Sequence, residues 1–533
     1  MKFISQILQD QRILPLRDNA LFLQNWRERT RSASVISAAA LATIIILLIL
    51  LYSYFNVRYG YQDTAADPQQ WLRMSFYSIA YLQGIILLLL GTMSIDRMTV
   101  RERASGTLEY HRSSPTSRVN QYFGILLGAP SLEWCIFLGS LSISVLLMLA
   151  TNISFLTFFR FYAQLILVTF FYHSLAILLA VCANQRTLLT HRRFSAVHVV
   201  VIMLFMGGAF MYSYSSSLYH LSWYPAYQQL TIDVFKTNQY TESQFKIMHS
   251  FFGAPLPSLI MQMLVQVPLL VLFIVGIMRQ ISRPDYPIFS KPHSALTIFF
   301  LLFLFIGSSD SYLKYANLDG YQSEPLTIMT PMFVIFILTL GILGALSTTP
   351  TRLLYQKGLR RLKKLNQSNM GFSDDHNSNM YWLITVCFLI TVTFGVYSLA
   401  LPVPVISQVL ALLIILFRVI FFASIFEYFQ LCPHHRKASL FWTAISFLWF
   451  FLPLTSTIIT KERMTPFLYY LFQTFSPFWG MVPLTGLLLG TNWMADPSRI
   501  DVTVDFTCNF VMTVLAVALA ARERARCRAE ILK

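Results

Sequence analysis

Apolar residues are grouped in long blocks along the chain, and short polar segments separate the blocks. A helix of about 20 apolar residues crosses the ~30 Å hydrocarbon core of a bilayer. Leu41–Leu51 and Tyr81–Leu90 are the plainest examples. We therefore predict an all-α, polytopic integral membrane protein with about 12 transmembrane helices. The predicted spans are residues 34–57, 74–93, 122–150, 155–183, 196–215, 259–279, 293–309, 329–347, 379–400, 406–428, 439–460 and 505–521.

Composition supports the same interpretation. The chain has 533 residues, of which 56% are hydrophobic and 12% are charged, whereas a soluble domain carries about 25% charged residues. Too little polar surface remains to face water, which excludes a soluble protein. The net charge of +16 lies in short loops between the apolar blocks, so orientation in the membrane explains it better than a nucleic-acid partner.

Basic residues crowd the cytoplasmic loops of membrane proteins. With the N-terminus inside, most of the 40 Lys and Arg residues fall on the inner side of the predicted spans. Residues 466–490 are apolar but broken by Pro477 and Pro483. A full span there would place the basic tail outside, so we predict a re-entrant segment on the outer side. Both termini are then cytoplasmic, and we expect the prokaryotic cytoplasmic membrane.

The two halves of the chain follow one plan. Each has two spans, a long basic inner loop (94–121 and 348–378) and a Pro-containing outer segment before its sixth span. Because both halves begin inside, we predict two parallel six-helix repeats. The predicted domains are a cytoplasmic amphipathic segment 1–33, a first six-span domain 34–279, a cytoplasmic linker 280–292, a second six-span domain 293–521 and a basic cytoplasmic tail 522–533.

The inner loop 94–121 combines a charged helical continuation of the second span with helix breakers. Ser105-Gly106 predicts a break, Thr107 is suited to capping a short helix, and Ser114-Pro115 to starting another. The pattern predicts a compact helical elbow at the cytoplasmic face, which is suited to docking a partner. A solvated loop that only fixes the orientation is the alternative.

The elbow contains Glu102-Arg103, Gly106-Thr107-Leu108-Glu109, Ser114-Pro115 and Arg118 in that order. These motifs and their spacing resemble the elbow of the ABC-2 type transporter permeases, which are membrane-spanning subunits of ABC exporters. The amphipathic N-terminal segment, the six spans of each half and the re-entrant segment are similar too. The resemblance implies a coupling helix that sits in a groove of a separate ATP-binding cassette subunit and passes that subunit's closure to the spans.

The chain departs from the family in two respects. Permeases of this family typically hold one six-span domain and dimerise, whereas this chain holds two. The loop 348–378 lacks a Gly-Thr-Leu-Glu element and contains a basic amphipathic helix with Leu353, Leu354, Leu359 and Leu362. We therefore regard it as a degenerate coupling loop.

Four charged residues fall inside predicted spans, where they are usually paired or functional. By residue count, Glu133 and Arg418 lie about halfway across, which would allow an ion pair between the two halves. Arg160 near the outer edge and Glu427 near the inner edge could extend their charges to the membrane surface. Structural pairing is favoured over substrate contact.

Catalytic motifs are missing from the sequence. It contains no Walker A loop, HExxH or GxSxG, and the six cysteines show no metal spacing, so we predict no catalytic residue, metal or cofactor. We expect a permease that exports an amphipathic substrate while a partner subunit hydrolyses ATP. A membrane enzyme acting on lipid or glycan and a secondary transporter are the alternatives.

Overall fold

The computed structural model describes residues 19–60, 69–107, 117–182, 220–235, 250–252, 254–283, 286–318, 348–367, 370, 374–398, 405–432 and 499–532. The chain divides into two compact units, Met1–Pro284 and Asp285–Lys533. Their boundary falls within the predicted linker 280–292.

The described part of the first unit is helical apart from one short strand pair. Its helices are α1 (Ala20–Arg29), α2 (Ser32–Gly60), α3 (Gln70–Gly84), α4 (Thr92–Ala104), α5 (Arg118–Gly128), α6 (Ser131–Ala150), α7 (Phe155–Cys182), α8 (Tyr224–Phe235) and α9 (Ser258–Ser282). A π-helical segment, Ile85–Gly91, joins α3 to α4. The strands β1 (Ser250–Phe251) and β2 (Ala254–Pro255) pair antiparallel before α9.

The described part of the second unit consists of helices. They are α10 (Lys291–Leu318), α11 (Arg352–Leu365), α12 (Asn379–Ser398), α13 (Val405–Leu431) and α14 (Arg499–Leu532). The helix α14 covers the predicted twelfth span and continues into the basic tail. It packs along α13, and this contact is the most extensive one between any two described helices of the unit.

Among the described residues, six helices are long and apolar enough to cross a membrane. They are Ala33–Tyr59, Gln70–Ala104, Ser131–Ala150, Phe155–Val181, Ser258–Ser282 and Gln408–Leu431. The prediction of a helical, polytopic membrane protein is confirmed at this level. The predicted spans 196–215, 329–347 and 439–460 and the re-entrant segment 466–490 lie outside the described residues.

The prediction of one continuous third span at 122–150 is wrong. The structure has two helices there, because α5 ends at Gly128 and α6 begins at Ser131. Pro130 lies between them and has no N–H group to continue the hydrogen bonds of α5. The helix long enough to cross the membrane is therefore α6 alone.

Close packing of α1 on α5 depends on two glycines. A Cβ atom on Gly124 would lie 3.0 Å from Leu21 Cβ, and one on Gly128 would lie 3.0 Å from Asn25 Cβ. The Asn19 side chain accepts a hydrogen bond from Phe22 N and so caps α1. Small residues four apart let two helices approach closely. The glycines of α5 therefore hold the amphipathic N-terminal helix against the start of the third-span region.

Buried polar side chains connect the second, third and fourth spans. Gln83 Nε2 donates to Ser140 Oγ at 3.0 Å and to Ser144 Oγ at 3.1 Å. Tyr162 OH donates to Gln83 Oε1 at 2.6 Å. In a bilayer, such hydrogen bonds hold helices together where the hydrophobic effect gives no preference for protein over lipid.

The π-helical segment Ile85–Gly91 makes a further contact between two spans. The Nε2–H of His173 donates to the carbonyl oxygen of Leu87 at 3.0 Å. A Cβ atom on Gly91 would lie only 2.8 Å from that same Nε2 atom. The small residue at the end of the π-helical segment thus makes room for the imidazole in the core of the first unit.

The α1–α5 contact can be tested with Gly128→Leu. The added side chain collides with Asn25 Cβ and with the Phe22 backbone, and overpacking of this kind lowers stability by about 1–3 kcal/mol. Thermal unfolding of the purified protein in detergent should show a lower midpoint than wild type.

Gly139→Leu is the matched control, because a Cβ atom at Gly139 of α6 has open space around it. Its unfolding midpoint should stay at or above that of wild type, since Leu is the better helix former. Equal midpoints for the two variants would contradict the proposed role of Gly128.

Candidate partner-coupling site

The predicted elbow is anchored in the first unit by Arg103. This residue lies in the last turn of α4, and its Nη1 donates to the carbonyl oxygens of Ala180, at 3.3 Å, and Val181. These carbonyls belong to the last turn of α7, where helix C-termini lack intrahelical donors. A cation there also interacts favourably with the helix dipole. The base of the elbow is therefore fastened to the C-terminal end of α7.

The helix α4 ends at the predicted breaker. Gly106 has φ +76°, a conformation that a residue with a side chain rarely adopts. Ser105 N donates to Arg101 O at 2.9 Å, and the Ser105 hydroxyl contacts Thr107 Oγ1 at 2.7 Å. The chain thus turns sharply at Ser105-Gly106, as the sequence predicted.

A three-way contact joins α1, α4 and α6 at the same end of the unit. Arg29 Nη2 lies 2.6 Å from Glu133 Oε1 and donates to Ser94 Oγ at 2.6 Å. Ser94 Oγ in turn donates to Glu133 Oε1 at 2.5 Å. The arginine comes from the amphipathic N-terminal segment, and the other two residues belong to the second-span helix and the third span.

The prediction that Glu133 lies halfway across a span is therefore wrong. The residue lies in the first turn of α6, because the break at Pro130 moves the start of the helix. Its carboxylate pairs with Arg29 of the same unit. An acidic residue in the first turn is stabilised by the helix dipole. The geometry therefore gives Glu133 a structural ion pair, as the sequence favours.

A second ion pair fastens α1 to the elbow. Arg101 Nη1 lies 2.6 Å from Glu28 Oε1. One residue along, the Glu102 side chain is buried beside Asn25, which is itself buried. Glu102 and Arg103 of the predicted motif therefore face into the protein, toward α1 and α7. They form the base of the elbow and not its outer surface.

The outer part of the elbow motif is only partly described. Thr107 is half-buried, and Arg118 is exposed at the start of α5, whose cap is Ser117. The motif residues Leu108, Glu109, Ser114 and Pro115 lie outside the described residues. Their predicted part in docking stays a prediction.

The loop 348–378 of the second unit contains the predicted amphipathic helix, α11. Thr351 caps its start, and Asn366, with φ +52°, ends it. Arg352 Nη1 donates to Leu431 O at 3.2 Å, and its Nη2 pairs with Glu530 at 2.6 Å. Leu431 is the last residue of α13. An arginine of the loop 348–378 therefore caps the C-terminal end of α13, as Arg103 caps that of α7.

The predicted leucines of α11 divide between its two faces. Leu354, Leu359 and Leu362 are buried, whereas Leu353 is exposed. Tyr355, Leu359 and Leu362 form a cluster with Leu431 and with Cys527 of α14. The basic side chains Lys357, Arg360, Arg361 and Lys364 are exposed.

Glu427 does not extend to the membrane surface, contrary to the prediction. Its side chain is buried and pairs with Arg524 Nη1 at 3.3 Å. The same Arg524 atom donates to Ser378 Oγ at 2.7 Å. The basic tail supplies a partly buried counter-charge, and this explains why Glu427 stays inside.

Lys291 is a fully buried cation of the second unit. Its Nζ donates to the carbonyl oxygens of Asp374 at 2.8 Å, Asn377 at 3.2 Å and Ser378 at 3.4 Å. Burial lowers the Lys291 pKa to about 8, so the ammonium group still carries its charge at neutral pH. It fastens the loop before α12 to the start of α10.

The other two predicted intramembrane charges are Arg418 of α13 and Arg160 of α7. Arg418 is buried near the middle of α13, and its Nε donates to Asn509 Oδ1 of α14 at 3.3 Å. Arg160 is half-buried in the second turn of α7. No group of three His, Cys, Asp or Glu side chains suited to a metal ion occurs among the residues that the structure describes.

Sequence reasoning missed several residues of this site. The sequence gives Arg29 no specific contact, and Gln83 and His173, which lie in the core of the first unit, fall within predicted apolar spans. A signal for the latter two existed, because polar side chains are rare inside membrane helices. Nothing in the sequence specified the partner of Glu133.

The chain matches no protein-family model, no curated protein and no solved structure. The function must therefore be argued from the residues themselves.

The contact of Arg29 with Glu133 and Ser94 predicts a specific loss of stability. In Arg29→Met, Glu133 keeps a side chain only 8% exposed but loses its cation. Removing one partner of a fully buried pair costs about 3–5 kcal/mol. Arg29 is 33% exposed, so we expect on the order of 2 kcal/mol, measured as a lower thermal unfolding midpoint in detergent.

Arg27→Met is the control, because Arg27 is exposed on the same helix and its loss removes the same inner charge. It should leave the midpoint unchanged. Adding Glu133→Gln to Arg29→Met should recover part of the loss. Additive losses in the double variant would count against a direct interaction.

Proposed function

We propose that the chain is the permease subunit of an ATP-driven ABC exporter. In this proposal a separate ATP-binding cassette subunit hydrolyses ATP and docks on the elbow 94–121. The chain carries two parallel six-span domains with both termini in the cytoplasm of a prokaryotic cell. The exported substrate is amphipathic.

The anchoring of the elbow base is the observation that carries the proposal. Arg103 ties the base to the end of α7, and Arg29 and Arg101 tie it to α1 and, through Glu133, to α6. A force on the elbow would therefore reach the inner ends of three spans at once. A loop that served only to orient the chain would not need such contacts, since the positive-inside rule depends on the number of charges and not on their partners.

Two correspondences between the units support the parallel repeat. An arginine of each basic inner loop, Arg103 or Arg352, caps the last turn of the fourth span of its own half. In each unit the most extensive packing among the described helices joins the fourth span to the sixth, as α7 with α9 and α13 with α14. Similar contacts at equivalent places are expected of a duplicated plan.

A cavity in the first unit supports an amphipathic substrate. It has a volume of about 490 Å³ and lies between α2, α3 and α8, with Tyr77, Tyr81 and Tyr227 among its lining residues. Thr231 Oγ1 donates to Tyr77 OH at 2.9 Å. Aromatic walls with a few hydroxyl groups suit a ligand that is mostly apolar and has a polar end.

The proposed topology can be tested by cysteine labelling in a cysteine-free background. Residues 216–257 and 461–504 should react with a membrane-impermeant reagent added from outside. Positions in both termini should react only after the membrane is opened. A C-terminus that is reachable from outside would contradict both the re-entrant segment and the parallel repeat.

Docking of the ATPase subunit can be tested with Glu109→Lys. The proposal places this carboxylate against a basic residue of the partner's groove, and loss of one member of such a pair costs about 2–5 kcal/mol. The variant should insert normally, because one more inner lysine agrees with the positive-inside rule. An ATP-binding cassette subunit should co-purify with the wild-type chain from native membranes and be largely lost from the variant.

Arg361→Glu in the second inner loop is the companion variant, also a charge reversal, and should reduce co-purification less. If Glu109→Lys bound the partner as well as the wild-type chain does, the elbow would be explained as a solvated loop. Specific ATP binding by the purified chain alone would contradict the proposed division of labour.

A further inference from the structure

The helix α11 presents a continuous basic face to its surroundings. Between Arg352 and Leu365 the helix has six basic residues and no acidic one. Leu353, Lys357, Arg360 and Lys364 follow one another at intervals of four, three and four residues, so they form one stripe along the helix. All four side chains are exposed.

The opposite face of α11 fixes the helix to the tail. Tyr355, Leu359 and Leu362 pack with Cys527 of α14. Lys363 Nζ donates to the Ile531 carbonyl at 3.2 Å. These contacts hold the basic stripe in a defined direction, pointing away from α14.

The position of α11 relative to the bilayer follows from α14, which is one uninterrupted helix through the predicted span 505–521 and the tail. At 1.5 Å per residue, Cys527 lies about 9 Å beyond the end of that span. This distance is about one Debye length at physiological ionic strength. The side chains of α11 that pack on Cys527 are therefore close enough to the inner membrane surface for its charge to act on the stripe.

We propose that the outward face of α11 binds the anionic phospholipid headgroups of the inner leaflet. Clusters of four to eight basic residues beside a membrane span bind such lipids. Leu353 and Leu365, at the two ends of the helix, are each about half exposed and can enter the interfacial layer beside the charges. Glu530 of α14 is paired with Arg352 at the start of the helix, and Asp374 interacts with Arg361 at the edge of the stripe.

Binding to a membrane surface explains the composition of α11 better than docking of a second ATPase subunit does. The helix lacks the Gly-Thr-Leu-Glu element and spreads its charge along one side. The proposal depends on the inner location of α11 and not on an ATPase partner. Its failure can therefore be told apart from failure of the proposed exporter function.

The test uses the full-length chain, purified in detergent and equilibrated with phosphatidylglycerol or phosphatidylcholine. Native mass spectrometry gives the binding constant for each lipid. The wild-type chain should prefer phosphatidylglycerol. Each basic side chain near an anionic surface contributes roughly fivefold to binding. In the triple variant Arg360→Gln, Arg361→Gln, Lys364→Gln, the ratio of the phosphatidylglycerol to the phosphatidylcholine binding constant should therefore fall at least tenfold.

Two further variants separate the effect of this face from that of total charge and packing. The triple variant Arg27→Gln, Arg31→Gln, Arg97→Gln removes three exposed inner charges from the first unit and should keep most of the preference. Arg360→Lys with Arg361→Lys keeps the charge and should behave as wild type.

Three results would overturn the proposal. In the first, the α11 triple variant keeps the wild-type lipid preference. In the second, the triple variant of Arg27, Arg31 and Arg97 loses as much lipid preference as the α11 variant, which would mean that the preference does not arise from α11. In the third, the α11 variant keeps its lipid preference but loses a co-purifying ATPase subunit, so that the face docks a protein.

Discussion

The last carbonyl groups of a membrane-spanning helix need donors, and arginines supply them for α7 and α13. Arg103 donates to the last turn of α7, and Arg352 donates to Leu431 at the end of α13. An unpaired carbonyl group near hydrocarbon would cost several kcal/mol. Arg103 belongs to the segment 94–121, and Arg352 belongs to the loop 348–378. The same contact that satisfies the helix end therefore fixes the loop.

This constraint links stability to the proposed coupling. A loop that caps a neighbouring span cannot move without exposing carbonyl groups or carrying the span along. In the first unit the link is doubled, because Arg29 joins the N-terminal helix to Ser94 and Glu133. Gly128 allows that helix to approach closely enough for the contact. These contacts thus join the elbow base and the amphipathic helix α1 to the nearby ends of α4, α6 and α7.

The helical class and the described spans could be predicted, because burial in lipid needs about 20 apolar residues in a row whatever their neighbours are. The break at Ser105-Gly106 was equally local. The contacts of the site were not predictable in this way. Glu133 was assigned to mid-span because Pro130 was read as part of one continuous helix. Its partner, Arg29, lies far away in sequence, and Glu427 stays buried only because the tail helix brings Arg524 to it.

The two inner loops share an anchor but differ in what they present outward. In the first loop the charged residues Glu102 and Arg103 are turned into the protein, and the rest of the motif forms the proposed docking elbow. In the second, Arg352 keeps the capping contact while Lys357 and Arg360 remain exposed. Because the capping contact uses only the residue beside the helix end, the outward face can change without loss of the anchor. In the proposed repeat, the loop 348–378 thus keeps the structural contact, while its outward face is free to bind the anionic membrane surface that we propose for α11.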